Sequence, residues 1–238
     1  MVDILVWPRA VLRPEECRAN LVAFTRSGGM SVGGGKASVR TDLGFWSVEL
    51  VNIPIAKTGQ RKAWDAITQI LGGSSGRMAI PVWGRDTAPY ESGEYEAPVI
   101  SPHSDGSLFS DGSGYVTNAI SAVTVGTTPI GATQITINVI KGGSDFTGVK
   151  FSRNHALYQT GQVISVVGTV WTLRISPSIR ETIPAGSALN FDQPTCLCRL
   201  VDDRGMDRGT NADNYTTATV KFQEDTDYWG RLAAGLSV

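Results

Sequence analysis

Three consecutive segments decide the fold class, and they read GFWSVELVNIP (residues 44–54), TGQRKAWDAITQIL (58–71) and MAIPVW (78–83). In the first segment, apolar and polar residues alternate from Trp46 to Leu50, which is the period of a half-buried β-strand. The third segment is short and apolar, as expected of a second extended stretch. The outer two segments therefore predict strands that enclose the middle one.

The middle segment has the period of a helix. Trp64, Ile67 and Leu71 recur at the spacing of one helix face, so they form an apolar stripe that must lie against a sheet. Thr58 offers an N-cap oxygen, and Gly72 stands where a left-handed residue ends a helix. We predict a strand–helix–strand unit that serves as a scaffold and carries no chemistry.

The composition favours a β-rich globular protein. The chain has 238 residues, of which 41% are hydrophobic and 27 are glycine. Strand formers outnumber helix formers, so many short strands and turns are expected. The formal net charge is −1, from 21 basic and 22 acidic side chains. A chain so nearly neutral has no strong field with which to attract nucleic acid, so nucleic-acid binding is not expected to be its main role.

The compartment follows from the cysteines and from the N-terminus. The chain has an odd number of cysteines, Cys17, Cys196 and Cys198. Cys196 and Cys198 are two residues apart on a predicted strand, a spacing that does not suit a disulfide between them. Free thiols in a reducing compartment are therefore expected. Asp3 and Pro8 interrupt the apolar core that a signal peptide needs. No apolar run is long enough to span a membrane. We expect a soluble protein made in a cytoplasm.

The rest of the chain alternates between β-rich and turn-rich stretches. Residues 119–191 contain five or six short predicted strands, with a tight hairpin at Gly168-Thr169. Residues 84–114 are rich in Pro, Ser, Asp and Gly, and they predict a long connection with turns and no packed element. Two closing strands are predicted at 195–201 and 216–222.

These stretches predict a mainly β fold with one domain inserted into another. A β-sandwich domain with one amphipathic helix is expected from residues 1–90 together with 195–238. Residues 91–118 form a connection. Residues 119–194 form an inserted small β-barrel or sandwich.

A glycine-rich stretch at residues 27–36, SGGMSVGGGK, predicts a mobile surface loop that a partner would order. Its GGGK end invites comparison with a phosphate-binding loop. That motif needs a further glycine where this chain has Met30 and a hydroxyl where it has Ala37. A nucleotide site is therefore not predicted.

An aspartate-rich loop leaves two interpretations open. It carries opposite charges at Arg204 and Arg208. A bound cation is one interpretation, and a solvated loop with internal ion pairs is the favoured one. Its acids are Asp202, Asp203, Asp207 and Asp213.

No catalytic constellation is found. His103 and His155 lie far apart in sequence, without cysteine or carboxylate neighbours at metal-ligand spacing. Glu91, Glu94 and Glu96 are a weak candidate for a glycosidase pair. We therefore predict no enzyme, cofactor or metal. The aromatic residues that could stack on sugars, although each is more often a core or interface residue, are Tyr90, Tyr95, Trp171, Tyr228 and Trp229.

Two stretches together resemble one protein family. The first runs from Gly44-Phe-Trp to Pro54, and continues with Arg61-x-x-Trp64 and Leu71-Gly-Gly. The second runs through residues 161–200, with a hairpin followed by the turn Ile175-Ser-Pro-Ser-Ile-Arg180 and by Ile183-Pro-Ala-Gly186. Their order is similar to that in the distal tail (Dit-like) proteins of siphophage tail tips and baseplates.

The resemblance implies a structural subunit that forms a ring, usually a hexamer, between the tail tube and the hub. It implies copies of the chain, the tube and hub proteins, and host glycans as partners, and the virion tail as location, with assembly in the host cytoplasm. We expect the subunit interface to include Trp46, Trp64, Gly33, Gly34 and Gly35. Two other roles remain open: a carbohydrate-binding module on residues 119–194, with two or three exposed aromatic residues, and a cell-wall hydrolase.

Overall fold

The computed structural model describes residues 4–30, 32–34, 36–83, 87–111, 113–209 and 215–236. Within them the protein is mainly β, as the composition predicts, with two α-helices and a short 3₁₀ turn. The N-terminal strands and helices are β1 (Glu16–Met30), β2 (Lys36–Ile55), α1 (Thr58–Leu71) and β3 (Met78–Pro81). The middle strands are β4 (Val99–Ser101), β5 (Tyr115–Thr117), β6 (Ser121–Thr124), β7 (Gln134–Lys141), β8 (Lys150–Arg153), β9 (Ala156–Val167), β10 (Val170–Ser176) and β11 (Ala188–Leu189). The C-terminal elements are β12 (Thr195–Leu200), β13 (Thr216–Glu224) and α2 (Thr226–Ala233).

One five-stranded sheet joins the two ends of the chain. Its order is β1-β2-β13-β12-β3, and every neighbouring pair is antiparallel. The apolar side of β2 is buried at Trp46, Val48 and Leu50, because the alternation in this segment places these side chains on one face. Before β1, Val6 forms a parallel bridge with Ala79 of β3.

Helix α1 covers this sheet as the sequence predicts. Its buried residues are Trp64, Ile67 and Leu71, the predicted stripe. Gly72 has φ of 52°, the left-handed conformation expected at the helix end. The N-cap is Lys57 and not Thr58, and its backbone N–H donates to Gln60 Oε1 at 3.0 Å.

The second sheet, of six strands, is a nearly closed barrel. Its order is β11-β6-β7-β10-β9-β8, and its two edges meet where Ser152 and Asn190 exchange backbone hydrogen bonds of 2.9 Å. Side chains of Phe146, Phe151 and Phe191 fill its centre with edge and tilted ring contacts. Closure pairs the sheet edges of this barrel.

Strand β12 connects the two cores. Cys196 and Cys198 face the core of the five-stranded sheet, whereas Leu197 between them faces the barrel core. The alternating directions of strand side chains allow one strand to serve both cores. The three cysteines are free thiols, and burial raises the pKa of the Cys196 thiol well above its usual value.

Two predictions for turn-rich stretches are corrected by the structure. The glycine-rich stretch is not wholly a loop, because β1 continues through Gly28 and Gly29 to Met30, which pairs with Lys36. The connection before the barrel contains the two-stranded sheet β4-β5. Strand pairing across a turn, which residue composition does not report, stabilises both segments.

Candidate assembly surfaces

The β1–β2 hairpin is longer than the sheet that carries it. Strand β13 pairs with β2 only from Ser47 to Ile55, so the part of β2 that precedes Ser47 has β1 as its sheet partner. We call residues 22–45 the arm. An isolated two-stranded ribbon is at best marginally stable in water, so the arm is suited to contact with another surface.

The described side chains of the arm leave much apolar area in water. Phe24 is 50% exposed and Met30 is 75% exposed, and Val32 and Leu43 are also exposed. Phe24 contacts Phe45 across the ribbon, with ring centroids 5.5 Å apart. Apolar side chains on a ribbon that no other described strand extends are typical of an interaction surface.

The charged residues of the arm are mostly cationic. The sequence of residues 22–45 contains the three cations Arg26, Lys36 and Arg40 and one acid, Asp42. In the pairing register, Arg26 is opposite Val39 and Arg40 is opposite Thr25, so these two cations belong to paired positions of the ribbon. The net charge of the whole chain, −1, does not reveal this local excess of positive charge.

The five residues predicted for the interface are not equally placed. Trp46 and Trp64 are 0% and 1% exposed, and both lie in the core beneath α1 and β2. Neither side chain is therefore accessible on the surface of a single chain, and an interface role for these two stays a prediction. Gly33 and Gly34 are exposed at the tip of the arm, and Gly34 has φ of 77°. Gly35 lies outside the described residues.

A second exposed surface was missed by the sequence interpretation. Residues 87–117 contain five acids and no Lys or Arg, and we call them the acidic segment. Charge counted over the whole chain hides this excess, although a count in windows along the sequence would have found it. The acids are Glu91, Glu94, Glu96, Asp105 and Asp111.

The acidic segment also presents apolar side chains. His103, Phe109 and Tyr115 form an edge-to-face cluster with ring centroids 4.8–5.2 Å apart. Phe109 and Tyr115 are exposed, as are Val99, Ile100 and Leu108. This surface therefore combines apolar contact area with negative charge.

The turns of the acidic segment hold their carboxylates in the charged form. Asp105 accepts from the hydroxyl and the backbone N–H of Ser107 at 2.6 and 2.9 Å, and Asp111 does the same with Ser113. These hydrogen bonds, first those of the serine hydroxyls, lower the pKa of both carboxyls. Both therefore carry negative charge at neutral pH.

The aspartate-rich loop forms one ion pair of its own and two contacts with neighbouring segments. Asp203 accepts from the hydroxyl of Ser74 at 2.5 Å, and Asp207 forms an ion pair with Arg204 at 2.6 Å. Arg208 reaches Asp65 on α1 at 3.0 Å. Asp213 lies outside the described residues. Within the part of the chain that the structure describes, no group of three or more His, Cys, Asp or Glu is placed to hold a metal ion.

The histidines and Glu96, considered above as candidate catalytic or metal-binding residues, form hydrogen bonds or packing contacts with neighbouring residues. His155 accepts from or donates to Thr195 Oγ1 at 2.9 Å, and burial lowers its pKa below 6.5. Glu96 accepts from the Ser92 N–H at 2.8 Å. His103 belongs to the aromatic cluster, far from His155 in sequence.

Of the aromatic residues that could stack on sugars, two are inside the protein. Tyr90 donates to Asp192 Oδ1 at 2.6 Å and is buried, as is Trp229. Tyr95 is exposed, whereas Trp171 and Tyr228 are half-buried. No described helix is both long and apolar enough to cross a membrane.

The arm and the acidic segment thus each combine exposed apolar area with an excess of one sign of charge. They have the character of contact surfaces, since neither is built around a reactive group. Comparison with known proteins adds no family, because the sequence matches no family model and no curated protein with significant similarity.

Proposed function

We propose that this protein is a structural subunit of a phage tail tip or baseplate, and that copies of it form a closed ring between the tail tube and the hub. The observation that carries the proposal is the arm, a two-stranded ribbon with exposed apolar side chains beyond its sheet. The ordered motifs around Trp46, Trp64 and Arg180 supply the resemblance to Dit-like proteins. Both point to a subunit whose partners are copies of itself and neighbouring tail proteins.

The sheet edges support association through this part of the molecule. The barrel pairs its own edges through Ser152 and Asn190, whereas β1 is the outermost strand of the five-stranded sheet. Glu16 and Arg18 form an ion pair at 2.8 Å on β1, and charged residues of this kind limit uncontrolled edge pairing. In a closed ring, the β1 edge of every subunit can contact the next subunit, so that no subunit has an unpaired β1 edge.

The competing role, glycan binding by the barrel, has weaker support. It needs two or three exposed aromatic side chains on residues 119–194. The barrel buries Phe146, Phe151, Tyr158 and Phe191, and Trp171 is half-buried against Phe146. A flat aromatic platform for sugar stacking is therefore not presented by this module.

Native mass spectrometry of the full chain, together with negative-stain microscopy, tests the proposal. We expect one closed oligomer, with six copies as the family resemblance implies. Phe24→Ser with Met30→Ser should weaken assembly, because these substitutions remove apolar area from the arm. The matched control is Ile164→Ser with Val167→Ser, which removes exposed apolar area from the barrel hairpin.

A chain that remains monomeric at all concentrations, alone and with tail proteins of the same particle, would refute the ring. The location has its own test: immunogold labelling should mark one end of the tail. Labelling of the capsid, or of no particle, would contradict the proposed position.

A further inference from the structure

We propose that the arm of one copy docks on the acidic segment of the next copy, so that the ring is closed by a head-to-tail contact between unlike surfaces. The inference rests on the proposed ring function and names the contact that it uses. The molecule that the arm binds is a second copy of this chain.

Charge complementarity is the first argument. The arm has three cationic residues and one acid, Asp42, whereas the acidic segment has five acids and no Lys or Arg. Glu96 is half-buried, and the other four acids of the segment are exposed. Opposite charges on two surfaces steer association and fix its register.

Apolar area is the second argument. Phe24 and Met30 on the arm are exposed, and so are Phe109 and Tyr115 on the acidic segment. Interfaces between proteins combine buried aromatic residues and Met with a charged rim. Each surface supplies the apolar part as well as its own sign of charge.

The signs of charge also select the symmetry. Two arms facing each other would bring like charges together, and so would two acidic segments. A contact between an arm and an acidic segment joins different surfaces of two copies. Such a heterologous contact generates a ring when the rotation closes.

Charge reversal on each surface tests the contact. The arm variant is Arg26→Glu, Lys36→Glu and Arg40→Glu, and the segment variant is Glu91→Lys, Glu94→Lys and Glu96→Lys. Reversal of Glu96 removes its ion pair with Lys141 at 3.9 Å, a partly exposed pair that contributes little to stability, and its hydrogen bond from the Ser92 N–H. Circular dichroism and thermal unfolding check that each chain is folded.

The decisive sample is a mixture of the two variants. Each alone should assemble at least about 100-fold more weakly than the parent chain, because like charges then face each other. Mixed in equal amounts they should assemble again, with the two chains alternating. The control reverses three cations elsewhere, at Lys57, Lys62 and Arg174, and it should assemble like the parent.

The outcomes separate this contact from the ring itself. A parent chain that stays monomeric, both alone and with tail proteins of the same particle, refutes both proposals. If the parent forms a ring and the folded variants assemble equally well, or if the mixture fails to recover assembly, the ring stands and this contact is refuted.

Discussion

Arg180 of the barrel and Glu224 at the end of β13 form a bidentate ion pair between the two parts of the molecule. Arg180 Nε donates to Glu224 Oε1 at 3.0 Å and Arg180 Nη2 donates to Oε2 at 3.1 Å. The exposed fractions of their side chains are 10% and 0%. Glu224 also accepts from the Trp46 N–H, and Arg180 donates to the Gly44 carbonyl. Burial raises the pKa of Glu224, and Arg180 counteracts that effect.

Removal of this carboxylate should destabilise the fold strongly. Glu224→Ala leaves the Arg180 cation buried without its counter-charge, and we expect a loss of about 3–5 kcal/mol in the free energy of unfolding. Urea denaturation at pH 7 measures it. The control is Asp207→Asn in the exposed Arg204–Asp207 pair, which should cost less than about 1 kcal/mol. Equal effects in the two variants would show that the buried pair has no special role.

His155 should make stability depend on pH below 6.5. Burial lowers its pKa in the folded protein, so between that lower value and 6.5 the unfolded chain binds more protons. The stability contribution is therefore present above pH 6.5 and is lost as the pH falls, by at most about 1.4 kcal/mol per pH unit.

The variant His155→Asn isolates this effect. Asparagine tolerates the left-handed backbone at this position, where φ is 68°. The difference in stability between parent and variant, measured by urea denaturation, should shrink from pH 7.5 to pH 5. A difference that is constant across this range would contradict the assignment.

The two buried tryptophans should affect stability and not assembly. Trp46 Nε1 donates to the Leu157 carbonyl at 2.8 Å, and Trp64 Nε1 donates to the Met206 carbonyl at 2.9 Å. Substitution by Phe leaves each carbonyl without its donor, at a cost of about 1–3 kcal/mol, and the lost volume adds to this. Native mass spectrometry of the folded variants should give the oligomer of the parent. An altered oligomer without a change in stability would instead support an interface role for the tryptophan concerned.

Two glycines, Gly59 in the first turn of α1 and Gly76 after the 3₁₀ turn that follows the helix, should respond in opposite directions to alanine. At Gly59 an added Cβ meets nothing within 4 Å, so Gly59→Ala should stabilise the helix by about 0.5–1 kcal/mol. At Gly76 the added Cβ would lie 2.6 Å from Leu71 Cα and would also clash with the Leu71 carbonyl oxygen. Gly76→Ala should therefore destabilise by more than about 1 kcal/mol. Thermal unfolding of both variants checks the signs, and stabilisation by Gly76→Ala would contradict the geometry.

Assembly of the parent chain should weaken as salt is added. The Debye length falls from about 10 Å at 0.1 M to about 3 Å at 1 M ionic strength, which screens attraction between exposed charges. We expect at least about a 10-fold increase in the dissociation constant over this range, measured by sedimentation. The control triple variant at Lys57, Lys62 and Arg174 should show the same dependence. Tighter association at high salt would indicate a purely apolar contact.

Local patterns predict the parts of the fold that depend on neighbours in sequence. Helix α1 has the predicted bounds of 58–71, because its apolar stripe and its terminal glycine are both local signals. The hairpin between β9 and β10 turns at Gly168, with φ of 61°, as the glycine there predicts. Composition was misleading at residues 27–30, where two glycines continue strand β1 at an irregularity between the pairs Ser27–Ser38 and Met30–Lys36.

By itself the sequence determined the β-rich class, the helix with its buried stripe, the tight turns and the separation of positive from negative charge along the chain. Only the tertiary structure decided that Trp46 and Trp64 lie inside, that Arg180 meets Glu224, and that the arm extends beyond its sheet. The physical reason is the range of the interactions. Helix and turn signals act over a few residues, whereas a strand's neighbours and the burial of its side chains depend on residues far away in sequence.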